Sequence, residues 1–230
     1  MNGNVEIVTS VTDAFADLVT DILARPRNDG FSLFLSGGTT AGQAYQRLAE
    51  TAATAVDWST VDVYWGDERC VSLDDAESNY RLCHEMLLDR VGPVRSEHPM
   101  YRSGEPADAA ADYQRLLEGL PGYDLVHLGM GPDGHTASLF PESEALAIDD
   151  PDVLVVANRD PLGHNPLDRI TLTFPAIRRA RLVVFTVDGG SKREAFARVM
   201  AGENLPAGRV TADEVIWLVD REAAGDVVVP

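Results

Sequence analysis

Asp124-Leu125-Val126-His127-Leu128-Gly129-Met130-Gly131-Pro132-Asp133-Gly134-His135-Thr136-Ala137-Ser138-Leu139-Phe140-Pro141 is the stretch on which the reading of this chain turns. It opens with an apolar run of strand length and stops at a turn with three glycines in six residues. In open α/β sheets, ligands bind beyond the carboxyl ends of the strands, and glycine lets the backbone approach a bound molecule closely. Asp133 and His135 sit on that turn. Imidazole titrates nearest neutral pH, so His135 is the candidate proton-transfer group, with Asp133 two residues away to bias it. Gly129, Gly131 and Gly134 also spell the dinucleotide fingerprint G-x-G-x-x-G. That fingerprint normally opens a first βαβ unit, whereas here it lies past mid-chain and Pro141 cuts into the helix that should follow. The other structural alternative, Asp133 as a helix cap, is compatible with catalysis and leaves His135 unexplained.

The same alternation extends in both directions. Apolar, β-rich runs occupy residues 5–8, 31–35, 61–65, 125–128, 153–156, 170–173, 182–187 and 215–219. Between several of them lie amphipathic stretches at 11–24, 42–53, 80–88, 107–117 and 193–200. Strands separated by helical crossovers predict an α/β fold: a doubly wound, mostly parallel, Rossmann-like sheet with helices on both faces. The late strands follow one another with little helix between, which leaves room for a small antiparallel subsheet. Residues 91–106 and 160–166 read as long surface loops, where Arg159 and His164 are either site neighbours or exposed loop residues.

At 230 residues and 45% hydrophobic content, the chain fits one domain over 1–230 with a sizeable core. Two cysteines, Cys70 and Cys83, are too few for a disulfide framework, and no leader or membrane-spanning run is evident. The expectation is a cytoplasmic protein. Its net charge of −18, from 37 acidic against 19 basic residues, repels nucleic acid and anionic membranes, so neither is expected as a partner. No obligatory protein partner is evident. An anionic ligand must instead be drawn by a local cluster.

Three strand ends offer one. Ser36-Gly37-Gly38-Thr39-Thr40 follows the strand at 31–35 and opens a helix near Ala41, either as a phosphate cradle or as a simple capped turn. Trp65-Gly66-Asp67-Glu68-Arg69 ends the next strand; Arg69 can grip phosphate, with Asp67 or Glu68 orienting it, or the group is a surface salt-bridge cluster. Ser78 and Asn79, downstream, also read as a cap for a helix at Tyr80. Lys192 starts the helix running to Met200, where the helix dipole disfavours a cation unless an anion sits opposite. There is no serine-hydrolase elbow, no triphosphate loop and no zinc spacing, so a mechanism without metal or cofactor is favoured. His127, inside an apolar run, reads as a satisfied core residue, and His84 and His98 as helix-surface and loop residues. Cys70 adjoins Arg69, which could lower its thiol pKa, but it lacks a sequence partner for nucleophilic work.

With these pieces assembled, the chain resembles the 6-phosphogluconolactonases, within the wider glucosamine-6-phosphate isomerase/deaminase superfamily. The resemblance runs nearly full length. It is carried by Leu35 to Thr40, by Trp65 to Arg69 with Ser78-Asn79, by Gly129 to Pro141, by Arg169-Ile170-Thr171-Leu172-Thr173, and by Lys192. The tail Thr136-Ala137-Ser138-Leu139-Phe140-Pro141 looks like the lactonases rather than the deaminases. Ala41 and Ser72 depart from the pattern, each standing where proline is usual; neither change removes a reactive group.

The resemblance implies hydrolysis of 6-phospho-D-glucono-1,5-lactone, a sugar-phosphate lactone, in the oxidative pentose phosphate pathway. On that expectation His135 takes a proton from water and returns it to the leaving ring oxygen, and Asp133 orients the imidazole. Backbone N–H groups near Gly131–Gly134, or Arg69, would stabilise the oxyanion. Ser36, Gly37, Gly38, Thr39, Arg69 and Lys192 would anchor the phosphate, with Arg169 a further candidate. Asp67 stands where the deaminases carry an acidic base, and its role lies between hydroxyl binding and structural support. Two other readings use the same architecture: a glucosamine-6-phosphate deaminase and a non-catalytic sugar-phosphate sensor.

Overall fold

The central strand runs become strands because both of their faces are covered. In the computed structural model, which describes residues 2–26 and 29–227, every residue of Val61–Trp65 is buried. Such continuous burial marks a sheet packed on both sides. The elements run β1 (Asn4–Val8), α1 (Val11–Leu23), β2 (Phe31–Leu35), α2 (Thr39–Ala52), β3 (Val61–Trp65), β4 (Asp67–Arg69), α3 (Asn79–Cys83), β5 (Ser96–His98), α4 (Pro106–Glu118), β6 (Tyr123–Gly129), β7 (Val155–Asn158), β8 (Arg169–Leu172), α5 (Phe174–Ile177), β9 (Ala180–Val187), α6 (Arg193–Met200), β10 (Glu214–Asp220) and α7 (Arg221–Ala224). A π-helical turn, His84–Leu88, continues α3.

Among the described residues, seven strands form a parallel sheet in the order β1-β10-β9-β6-β2-β3-β5, and three form a small antiparallel sheet, β4-β8-β7. From β2 the chain winds one way to β3 and β5; from β6 it winds the other way to β9 and β10. The loops leaving β2 and β6 therefore part from each other, and such a switch point opens a crevice at the carboxyl ends of the strands. The expected small antiparallel subsheet is present, contributed by β4, β7 and β8.

Local sequence explains the helices that frame this crevice. Val11, Phe15, Ala16, Val19 and Leu23 give α1 one buried stripe, and the Ser10 side chain accepts from the Asp13 N–H to start it. The helix expected from residue 42 begins earlier, at Thr39, because Gly38 adopts φ +92 and turns the chain directly out of the β2 loop. Two expectations need correction. Residues 67–69, expected as the end of the strand at 61–65, form a separate strand in the second sheet, and Ser96–His98, inside the expected loop at 91–106, forms the edge strand β5. Both are polar triplets held by partners: β4 pairs with β8, while Asp62 of β3 accepts from the Arg95 and Ser96 side chains leading into β5.

His127 is the satisfied core residue expected. It is fully buried; Tyr45 Oη lies 2.7 Å from its Nδ1 and Thr186 Oγ1 lies 2.9 Å from its Nε2. Burial draws its pKa down to about 3, so the folded protein holds it neutral. The unfolded chain binds a proton near pH 6.5 and the folded one does not, so this stability is fully present above 6.5 and is lost as pH falls toward 3. Relative to a His127→Gln variant, the wild type should lose about 1.4 kcal/mol of its advantage per pH unit below 6.5. Urea midpoints at pH 7.5, 5.5 and 4.5 check this, and a pH-independent difference would contradict it.

Candidate active site

Where the β2 and β6 loops diverge, residues 36–41, Asp67, Arg69, His135, Arg169 and Lys192 line one cleft. Apart from Asp133, every site residue expected from the sequence lies on its wall, and Asp133 stands behind His135. The Ser36 N–H donates to Tyr45 Oη at 2.6 Å, which ties the loop to α2. No side chain caps the N-terminus of α2, so its first-turn N–H groups remain for an anion. Gly37 has no room for a side chain: a Cβ would stand 1.8 Å from Asn79 Oδ1.

Asp133 caps no helix; it grips His135 twice. Its Oδ1 accepts from His135 Nδ1 at 2.6 Å and from the His135 N–H at 3.1 Å. Burial would raise the Asp133 carboxyl, but the hydrogen bonds and charge of His135 hold it below the ordinary carboxylate value. An ionised carboxylate only accepts, so Nδ1 carries the hydrogen and the neutral ring leaves Nε2 as its basic atom. Phe140 packs on the ring at 5.1 Å between centroids, and Gly131 fits beneath it so closely that a Cβ would stand 2.2 Å from Nδ1 and Cε1.

The cationic side of the cleft is assembled by sheet register. Arg69 of β4 and Arg169 of β8 are directly opposed. Like charges in that position destabilise an antiparallel pair. The Nε atoms of both are buried without a hydrogen-bond partner among the described residues. Burial, with Arg69 beside it and Asp67 opposing, lowers the Arg169 pKa from its ordinary value. Lys192, at the start of α6, is likewise drawn down by burial against the pull of Asp133. Two orphaned guanidinium donors and a desolvated ammonium around one opening suit a multiply charged anion.

The acidic neighbours divide their labour. Glu68 accepts from the N–H groups of Arg69, Asn79 and Tyr80 and from Ser78 Oγ, so it fastens β4 to the start of α3. Asp67 accepts from Ser138 Oγ at 2.6 Å and still reaches the cleft. One expectation narrows and one fails here. The Gly131 N–H donates to the His135 carbonyl and the Gly134 N–H to the Gly131 carbonyl, so two of the backbone donors expected near an oxyanion are engaged within the turn. Arg69 does not activate Cys70: burial, then the Asp168 and Glu68 carboxylates, push that thiol up to about 12. Arg159 stays outside the cleft, bonded to Asp168. Asn165 of the same loop does reach it, held by the Asp160 carboxylate. Asn79, Thr186 and Asn165 line the cleft without having been assigned site roles from the sequence. A hydroxyl inside the apolar run at 182–187 was the available signal for Thr186.

Among the described residues no helix is long and apolar enough to cross a membrane. Residues 3–217 match the family model described as glucosamine-6-phosphate isomerases/6-phosphogluconolactonase. A 6-phosphogluconolactonase from Synechocystis is 38% identical over 232 residues, spanning 94% of this chain and 89% of the relative. One from Nostoc is 36% identical over the full length of both. The crystal structure of a 6-phosphogluconolactonase from Thermotoga maritima superposes with a TM-score of 0.82 at 29% identity, covering 95% of this chain and 100% of that one.

Proposed function

Because the chain belongs to the glucosamine-6-phosphate isomerase/6-phosphogluconolactonase family, we propose that it hydrolyses 6-phospho-D-glucono-1,5-lactone to 6-phospho-D-gluconate in the cytoplasm, as a step of the oxidative pentose phosphate pathway. The observation that carries the reading is the pairing, in one cleft, of an Asp133-oriented His135 with the cations Arg69, Arg169 and Lys192. A contiguous buried core reaching from Val11 to Ala224 supports treating residues 1–230 as one domain.

His135 Nε2 removes a proton from water as the water oxygen adds to the lactone carbonyl carbon. The tetrahedral intermediate collapses by breaking the bond to the ring oxygen, and that oxygen takes the proton back from Nε2. Arg69, the other donor expected from the sequence, faces the developing oxyanion or the phosphate. Ser36, Gly37, Gly38, Thr39, Arg169 and Lys192 hold the phosphate at the other end. Asp67, fixed by Ser138, is placed to accept from a sugar hydroxyl.

The reading is tested by following freshly generated lactone with a coupled dehydrogenase that consumes 6-phosphogluconate. Acceleration above the spontaneous rate is expected. Ammonia release from glucosamine 6-phosphate would point to a deaminase instead, and sugar-phosphate binding without turnover to a sensor. Gly131 offers a geometric check. A Gly131→Ala methyl displaces the imidazole, and a misplacement near 1 Å costs about 10²-fold in rate, so kcat should fall by that order with the melting temperature little changed. Wild-type kcat in Gly131→Ala would mean that the ring position is not critical.

A further inference from the structure

We propose that Thr186 is a substrate-binding residue whose hydroxyl donates a hydrogen bond to an oxygen of the bound sugar phosphate, with Tyr45 and His127 as the buried positioning residues that point it there. The proposal deepens the lactonase reading and rests on it. Thr186, the penultimate residue of β9, lies opposite Gly129 of β6 and lines the cleft with His135 and Lys192.

The direction of its hydroxyl follows from counting hydrogens along one chain of contacts. The Ser36 N–H donates to Tyr45 Oη; Tyr45 Oη meets His127 Nδ1; His127 Nε2 meets Thr186 Oγ1. With His127 neutral, four hydrogens serve three bonds: one each on Ser36 N, Tyr45 Oη, the imidazole and Thr186 Oγ1. One hydroxyl hydrogen must therefore lie outside the chain. If it were that of Tyr45, a donor in a fully buried group would go unpaired, which is costly. If it is that of Thr186, it faces the cleft, where a ligand or water can take it. Tyr45 accordingly donates to Nδ1, Nε2–H donates to Thr186 Oγ1, and the Thr186 hydrogen is left for the substrate. Burial, which keeps the His127 ring neutral far below pH 6.5, preserves this polarity throughout the working range.

Two measurements on the intact protein test the idea. The first compares kcat/KM for 6-phosphogluconolactone in wild type, Thr186→Val and Thr186→Ser. The valine variant should lose roughly tenfold, as expected for one hydrogen bond, and serine should recover most of it. The second is 15N NMR of His127, which should place the ring hydrogen on Nε2 and show that signal moving when 6-phosphogluconate is added, since its acceptor gains a partner. A folded Thr186→Val with wild-type kcat/KM, or a ring hydrogen on Nδ1, overturns the proposal. Should Thr186→Val fold poorly, the NMR result decides alone. If the wild type fails to accelerate lactone hydrolysis, the lactonase reading falls and takes this proposal with it. If it accelerates and Thr186→Val matches it, only the proposal falls.

Discussion

His135→Ala should lower kcat by about 10²–10⁴-fold, the range a positioned general base contributes, while the protein stays folded. The two halves of this expectation come from different features. Catalytically, His135 is the group in the cleft whose basic nitrogen is fixed by a carboxylate that only accepts, so its loss leaves water without a matched proton acceptor. Structurally, the side chain is partly exposed, its bonds are to Asp133 two residues away, and no strand depends on it. The turn itself is closed by backbone bonds, Gly131 N–H to the His135 carbonyl and Gly134 N–H to the Gly131 carbonyl, which alanine retains. The coupled assay with a parallel melting curve separates the two. Turnover kept by His135→Ala would transfer the base role to Asp67 or Asp133.

Arg169→Gln should move binding and stability in opposite directions. A hydrogen bond to a charged group contributes about 1.5–3 kcal/mol, so KM should rise by roughly 10- to 100-fold with kcat less affected. In the free protein Arg169 opposes Arg69 across β4 and β8 with its Nε buried and unpaired. Removing the charge gives up the pull of Asp67 but relieves the cost of burying the guanidinium, which outweighs it, together with the Arg69 repulsion and an unmet donor, so the empty variant should melt no lower than the wild type. Inorganic phosphate should raise the wild-type melting temperature and leave that of Arg169→Gln nearly unmoved. An unchanged KM would remove Arg169 from the phosphate site.

The sequence made the large sheet readable because β2, β3, β6, β9 and β10 are apolar runs whose burial dominates their energetics. It hid β4 and β5, because Asp-Glu-Arg and Ser-Glu-His have little strand preference of their own and owe their form to pairing with β8 and β3. The same limit applied within the site. Asp133 and His135 are local and were legible. That Arg69 and Arg169 face each other is a fact of register between segments a hundred residues apart, which spacing does not reveal. Arg69 adjoins Cys70 in the sequence, yet burial and two carboxylates set that thiol. Glycines at 131 and 134 advertised free N–H groups, but glycine content says nothing about where those hydrogens are spent.

The pairing of β1 with β10 sets the order in which the sheet can be completed during synthesis. Asn4–Val8 leaves the ribosome before the other strands of its sheet, yet its neighbour, Glu214–Asp220, is translated more than two hundred residues later, and Trp217 Nε1 finally reaches back to the Asn2 carbonyl. At about 5–20 residues per second, that strand waits roughly 10 to 40 s with its hydrogen-bonding edge unmatched. Glu6, between Val5 and Ile7, places a charge in the middle of the waiting segment, the device by which nascent strands are kept from pairing with strangers.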